Sequence, residues 1–422
     1  MTDIVDTEQF NADELQPPDW LNSEFITEVL SKYEKVSELK VTDLKITPAS
    51  AQGDHYASVM FRATAEYTTA KGSFSKPLII KTMPEQEGHK KDMLSDSHIF
   101  TTEIGTYCKA LPEFERILRE AGDDTKLYVP CLYHSVEPRQ VMIFEDLVPQ
   151  GYSVIRDRPV TEKELKKVFA KLAKWHAVSM KVINEKPEFL KDFKYGIFEM
   201  PTIESDPFVT NGMAGFIEML DQKPEFRKYN PHFEKVKDIY LKRLADEMQE
   251  YRKNRRDDSY YVLCHGDFHL RNMMFKENKQ TGAPEDVMLV DFQFCNICPI
   301  TVDLTYSIYM LMEPEQRREM GKDLIHHYFT VLVETLKKIG FKAEMPTEAR
   351  LWEQIHRNRY YHFFMISTLL PMMLALKSNA LKMHDLIQDP ETRRKSYLLE
   401  NYVKDVAMLL PKYEELGHFK DL

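Results

Sequence analysis

Trp20, Leu21, Phe25, Ile26, Val29 and Tyr33 recur at the spacing of an amphipathic helix, with Asp19 placed to cap its first turn. From Leu39 to Thr82 the pattern changes to alternation and β-branched residues. Leu44–Thr47, Ser58–Arg62 and Leu78–Lys81 read as three strands. A helix is predicted over Asp96–Leu111, then two strands over Val129–Ser135 and Gln140–Glu145. Beyond Asp146 helical spacing dominates. Thr161-Glu162-Lys163-Glu164 has the capping-box form, just ahead of Leu165, Val168, Phe169, Leu172 and Trp175. Helical patterns return over Pro231–Lys253, Glu315–Lys338, Thr347–Lys377 and Arg393–Leu410. Strand-like segments interrupt them only at Tyr260–Cys264, Met273–Lys276 and Val287–Val290.

These elements predict an α+β fold of two lobes. A small antiparallel-sheet lobe spans residues 19–147 and a larger helical lobe spans 148–422, with the boundary near Asp146–Gly151. Residues 1–18 are acidic, end in Pro17-Pro18 and read as a loose tail. A chain of 422 residues supports two or three folding units. A cleft between lobes is a favoured ligand site.

Composition narrows the partners. The formal net charge of -10 disfavours binding to a phosphate backbone, so no nucleic-acid partner is expected. The basic run Arg252–Arg256 is followed at once by Asp257-Asp258 and reads as a solvated helix end. The five cysteines are odd in number and scattered, unlike a disulfide framework. The acidic Met1–Phe10 has no leader pattern, and the apolar stretch Phe363–Leu376 is too short and too polar to span a bilayer. A cytoplasmic protein with no membrane partner is the expectation.

The chemistry is concentrated in Cys264-His265-Gly266-Asp267-Phe268-His269-Leu270-Arg271-Asn272. Phosphoryl transfer needs a carboxylate to orient and deprotonate the attacking hydroxyl, and an amide oxygen to hold a metal against the phosphates. The kinase catalytic loop spaces Asp and Asn in this way. Further on, the apolar strand Val287–Val290 delivers Asp291-Phe292-Gln293, the position of a metal-binding Asp-Phe-Gly with Gln in place of Gly. Asp267 is therefore the expected catalytic base, and Asn272 and Asp291 the expected Mg2+ ligands. Lys81 ends the third strand, where it can reach the α- and β-phosphates of ATP, and Glu103 is its expected helix partner. Gln52–Ser58, with the single glycine Gly53, would lie over the phosphates. Backbone groups near Glu145 and Leu147 are placed to bind adenine. Each piece alone is common; their order along the chain is specific.

The sequence resembles the ecdysteroid kinase-like proteins, a choline-kinase-like group. The resemblance runs from about Trp20 to about Leu410. It rests on Gly53–Ser58, Ile80-Lys81, Phe144–Leu147, Leu172–Ala177, His265-Gly266-Asp267, Val290–Gln293 and Pro299–Leu304. The His-Gly-Asp form and the Asp-Phe-Gln ending are similar to those of aminoglycoside and choline phosphotransferases. The resemblance implies an ATP- and Mg2+-dependent small-molecule kinase that phosphorylates an alcohol, with ecdysteroids or other hydroxylated xenobiotics as acceptors. It also implies that Asp303 orients the catalytic loop.

Plainer readings compete at several positions. His265 reads as a loop-holding residue and His176 as a core histidine, while His269 is placed to touch either loop or substrate. Cys295-x-x-Cys298 lacks a second pair or nearby His and reads as packing. The Met- and Phe-rich Tyr360–Met373 reads as core or as the wall of an apolar acceptor pocket, and Phe268 and Leu270 on the loop suit an apolar acceptor. The short span from Asp291 to Asp303 leaves little room for a protein-kinase activation segment. A choline-type kinase and a catalytically silent carrier are the alternatives. The oligomeric state stays open.

Overall fold

The computed structural model describes residues 15–49, 58–85, 91, 97–156, 158–200, 206–378, 380–381, 385–386 and 389–422. Most of the expected tail, and the phosphate loop with Gly53 up to Ala57, lie outside the described residues.

Two compact units form. The first comprises the described residues up to Glu115, then Lys126–Val154 and Met274–Gln293. The second comprises Arg116–Thr125, Ile155–Met273 and Phe294–Leu422. The sequence pattern suggests one boundary at Asp146–Gly151, whereas the first unit takes back a later hairpin. Strand pairing explains this. Strands β6 (Tyr152–Ser153), β8 (Met273–Glu277) and β9 (Pro284–Leu289) form one small sheet, with Tyr152 opposite Lys276. The Tyr152 hydroxyl also donates to Asp286 at 2.8 Å.

The main sheet of the first unit is antiparallel, in the order β1-β2-β3-β5-β4. Its strands are β1 (Lys40–Pro48), β2 (Val59–Thr69), β3 (Gly72–Thr82), β4 (Cys131–Ser135) and β5 (Val141–Glu145). Strand β2 alternates buried and half-buried residues, as a sheet with one face on a core requires. Phe61, Ala63 and Ala65 of β2, with Leu78 and Ile80 of β3, pack on Ile26, Val29 and Leu30 of helix α1 (Ser23–Glu34). Truncating a buried Phe such as Phe61 to Ala costs about 3–5 kcal/mol. Helix α1 starts later than the sequence suggests. Its cap is Asn22, whose side chain accepts from the N–H of Glu24 and of Phe25, both at 3.1 Å. Asp19 instead lies in the preceding turn, its carbonyl accepting from the Asn22 amide.

In the second unit the capping box holds. Thr161 Oγ1 accepts from the Glu164 N–H at 3.3 Å, and Glu164 accepts from the Thr161 N–H at 2.7 Å. The helix it starts, Glu162–Glu185, buries Leu165, Val168, Phe169, Leu172 and Trp175, and packs on the helix Pro314–Lys338. Strand β7 (Tyr261–Cys264) pairs with β10 (Asn296–Pro299), placing Asn296 opposite Cys264. Four residues ending in Pro299 are too few to show alternation, so β10 is not legible in the sequence.

The long helical patterns are segmented. Thr347–Lys377 resolves into Glu348–Arg357, Arg359–Phe364, a π-turn over Met365–Leu369, and Leu370–Lys377. Pro371 sits in the first turn of the last piece. Proline has no N–H and crowds the carbonyl four residues back, and the wider π-turn just before it relieves that conflict. Helix Gly212–Gln222, absent from the pattern analysis, packs against this turn. A Cβ at Gly212 would lie 2.2 Å from Thr368 Oγ1, so only glycine fits that approach. Among the described residues no helix is long and apolar enough to cross a membrane.

Buried imidazoles make the second unit acid-sensitive. The ring of His418 lies 4.9 Å from that of His362 and 5.7 Å from that of His356. Burial pushes His362 down to about 3 and His418 down to about 2. Both are neutral when folded, whereas an unfolded His takes up a proton near pH 6.5. The unfolded state then binds more protons, so stability is full above about pH 6.5 and is lost as pH falls toward the folded values. The two residues together are expected to cost about 2 kcal/mol between pH 6 and pH 5. Urea unfolding at the two pH values measures it, and His418→Phe should remove about half of the slope.

Candidate active site

Strand alternation sets the first group of site residues. Ile80 faces the α1 core, so Lys81 points to the opposite face of β3, where it is 4% exposed. Helix α2 (Ile99–Gly105) carries Glu103 to that face. Lys81 Nζ donates to Glu103 Oε2 at 2.6 Å and to Asp291 Oδ1 at 2.5 Å. Asp291 follows β9 with φ 66, in the left-handed region that Asp tolerates better than most residues. Such strain persists only where surrounding packing fixes it. Phe292, fully buried, supplies that packing, with its ring 4.9 Å from Tyr107. Tyr107 in turn lies 4.7 Å from Phe144 of β5.

One ammonium thus serves two carboxylates. Burial works to lower the Lys81 pKa, but the charges of Asp291 and Glu103 outweigh it and hold Lys81 above the ordinary range. Burial pushes Glu103 up to about 7, against the pull of Lys81. At the end of β5, Glu145 pairs with Leu78, and the Leu147 carbonyl accepts from the N–H of Gln150 and of Tyr152. That carbonyl is already committed to a turn.

The second group lies on the loop after β7. Asp303, fully buried, accepts from the backbone N–H of His265 at 2.7 Å and of Gly266 at 3.0 Å. Gly266 has φ 82, and a Cβ there would lie 2.3 Å from the Phe294 carbonyl oxygen. Both facts demand glycine between His and Asp. His176 is a core residue that braces Asp303. Its Nε2 lies 3.1 Å from Asp303 Oδ2, and its Nδ1 lies 2.7 Å from the Tyr328 hydroxyl. Burial works to raise the Asp303 carboxyl, but His176 and the loop amides hold it below its usual value.

Asp303→Asn is expected to turn one acceptor oxygen into a donor against a buried N–H. A loss of about 3–5 kcal/mol follows from breaking so buried a charge network. Thermal unfolding and turnover should fall together.

The loop presents Asp267 with three donors. Tyr306 Oη donates to Oδ1 at 2.7 Å, and Asn272 Nδ2 donates to Oδ2 at 3.0 Å. His269 Nδ1 accepts from the Arg271 N–H at 3.1 Å, which leaves the ring proton on Nε2. That Nε2 lies 3.4 Å from Asp267 Oδ2. Burial works to raise the Asp267 pKa, but His269 and Tyr306 hold the carboxyl well below the usual range. Since Asn272 commits its amide nitrogen to Asp267, its Oδ1 remains as a hard acceptor of the kind Mg2+ prefers.

Tyr306, the donor to Asp267 Oδ1, is not among the residues that the motifs single out. A signal exists: it lies three residues after Asp303 on the helix Thr301–Met310, and i, i+3 positions share a face.

Other expectations change. Phe268 is fully buried, with its ring 5.6 Å from His265, so it does not present an apolar surface to an acceptor. Phe363–Leu370 is buried throughout, and of the Met-rich stretch Tyr360 and Met372–Met373 are half-buried. It is core packing. Cys295 and Cys298 are buried beside and within β10. Among the described residues the group that could hold a metal by position is His176, Cys264 and Asp303, whose Asp and His are hydrogen-bonded in the loop brace. A cavity of about 350 Å³ lined by Arg116, Glu120, Lys181, Glu185 and Lys338 shares no residue with the Asp267 loop.

Comparison with known proteins bears on this geometry. A model of the ecdysteroid kinase-like family matches residues 52–341, a span that contains both groups of site residues. The chain belongs to the ecdysteroid kinase-like family. Its antiparallel sheet and its mostly helical C-terminal region agree with the α+β kinase-like class. Among solved structures it is similar to a Ralstonia eutropha chain described as an aminoglycoside phosphotransferase. That match has 12% identity and a TM-score of 0.40, and covers 91% of this chain and 98% of the other. The search of curated proteins finds no match.

Proposed function

We propose that this ecdysteroid kinase-like protein transfers the γ-phosphoryl group of ATP to a hydroxyl of a small, largely apolar molecule, an ecdysteroid or xenobiotic alcohol. The observation that carries the reading is the Asp267 carboxylate, held ionised and oriented by Tyr306, Asn272 and His269. In the reaction the acceptor oxygen attacks the γ-phosphorus and the bond to the β–γ bridging oxygen breaks. Asp267 orients the acceptor hydroxyl and receives its proton. Lys81, positioned by Glu103, binds the α- and β-phosphates. Asn272 and Asp291 would hold Mg2+, and the oxygen donors of both suit it. When bound, the ion neutralises charge on the phosphates. Backbone groups near Glu145 and Leu147 would bind adenine, and the loop with Gly53 would cover the phosphates.

The apolar character of the acceptor rests on the family's name, since Phe268 and the Met-rich segment are core. Incubation with labelled ATP, Mg2+ and a hydroxyl-compound library, read by mass spectrometry for singly phosphorylated products, tests the reading. Ecdysteroids or apolar alcohols should dominate. Choline turnover far above every apolar alcohol would favour the choline-type kinase, and no product from any acceptor would favour the silent carrier. Asp291→Ala is expected to abolish the Mg2+ dependence of nucleotide binding, because neutral Asn272 cannot offset phosphate charge alone. Calorimetry with and without Mg2+ checks this.

A further inference from the structure

The Asp267 carboxylate offers about four lone-pair sites, and its neighbours fill them unequally. On Oδ2, Asn272 Nδ2 donates at 3.0 Å and His269 Nε2 lies at 3.4 Å. On Oδ1 the described residues supply one donor, Tyr306 Oη at 2.7 Å. Oδ2 is therefore occupied, and Oδ1 keeps one site. The side chain is 15% exposed, so an incoming hydroxyl can reach it.

Tyr306 is firmly placed. It is buried on the helix Thr301–Met310, one turn after Asp303, and its ring stacks on that of His269 with centroids 6.4 Å apart. A phenol carries one proton, and Tyr306 commits its proton to Asp267. Toward any other group its oxygen can only accept.

We propose that the acceptor hydroxyl binds Asp267 Oδ1 and that Tyr306 is its second anchor, selecting acceptors with another O–H or N–H donor on the carbon next to the reacting hydroxyl. The proposal rests on the phosphotransfer reading above. Two donors that share one carboxylate oxygen lie about 4–5 Å apart. The reacting oxygen is then too far from Tyr306 Oη to bond it, but a donor on the adjacent carbon spans the gap. In the transfer the reacting oxygen attacks the γ-phosphorus, its proton passes to Oδ1, and ADP leaves with the electron pair of the broken bond. The second donor keeps its proton and stays on Tyr306. An acceptor without that donor sets a C–H against the phenol oxygen and forgoes one neutral hydrogen bond.

The test uses the full chain with phenylethanediol and phenethyl alcohol, which share a phenyl ring and a terminal hydroxyl and differ in the second hydroxyl. The expected kcat/KM for the diol is about three- to tenfold above that for the mono-alcohol, the range of one neutral hydrogen bond. Tyr306→Phe keeps the ring and should bring the ratio close to unity, with the unfolding midpoint as the check on folding. His269→Gln, on the Oδ2 side, should keep the ratio whatever it does to the rates. No preference in the native chain, a preference that survives in Tyr306→Phe, or one lost only in His269→Gln would overturn the anchor. Saturation-transfer NMR of the same two alcohols on native and Tyr306→Phe chains reads the preference without turnover. Preferred binding of the diol that Tyr306→Phe removes, with no phosphorylated product, would sink the enzymatic reading and leave the anchor standing.

Discussion

Asp267→Asn should lower turnover by about a hundredfold or more, the usual scale for losing a general base. The variant keeps the size and shape of the side chain, and its amide oxygen still accepts from one neighbour. Its amide NH2, however, must face a donor: Tyr306 Oη on one side, or Asn272 Nδ2 and His269 Nε2 on the other. One hydrogen bond is lost and the group can no longer take a proton. The fold should survive, because Asp303, and not Asp267, holds the loop backbone. The check is kcat with the best acceptor from the library, alongside the unfolding midpoint. Near-native turnover would remove Asp267 from the mechanism. Since its carboxyl is held well below the usual range, any loss of activity between pH 5 and 7 should come from another group.

Lys81→Met should destabilise the first unit by about 3–5 kcal/mol, as much as truncating a fully buried aromatic residue of its core. The ammonium is buried and shared by two carboxylates, and without it Glu103 and Asp291 face one another uncompensated. Glu103 would respond by taking a proton. Its folded pKa, already pushed up to about 7, would rise further. The folded state would then bind a proton that an unfolded Glu releases near pH 4.3, so stability would fall as pH rises through the folded value. Urea unfolding at pH 6 and pH 8 should show the larger loss at pH 8. Adding Glu103→Gln should recover part of it, as expected of coupled neighbours. A single variant within about 1 kcal/mol of the native chain at both pH values would mean that the buried pair carries no such charge. Nucleotide affinity should fall in both variants, since Lys81 is the proposed phosphate ligand.

Local order was legible because it follows from neighbouring residues. Alternation set the strands of the main sheet, and Thr161 and Glu164 announced the start of a long helix. The Asp-x4-Asn spacing within one loop placed Asn272 on Asp267, a contact between residues five apart. Helix ends were less legible. Asn22, and not Asp19, caps the first helix, and a π-turn before Pro371 interrupts a helical spacing that runs on through it. What sequence could not decide was which distant residues share a charge or a hydrogen bond. Lys81 and Asp291 are 210 positions apart, and Tyr306 and Asp267 39 apart. Period and composition record which face of an element is apolar. They do not record which polar group from another element meets it, because that is set by packing of the whole unit. Burial followed the same rule: Phe268 suited an apolar acceptor and Phe363–Leu370 a core or, less readily, a pocket wall, and the surrounding side chains made both core.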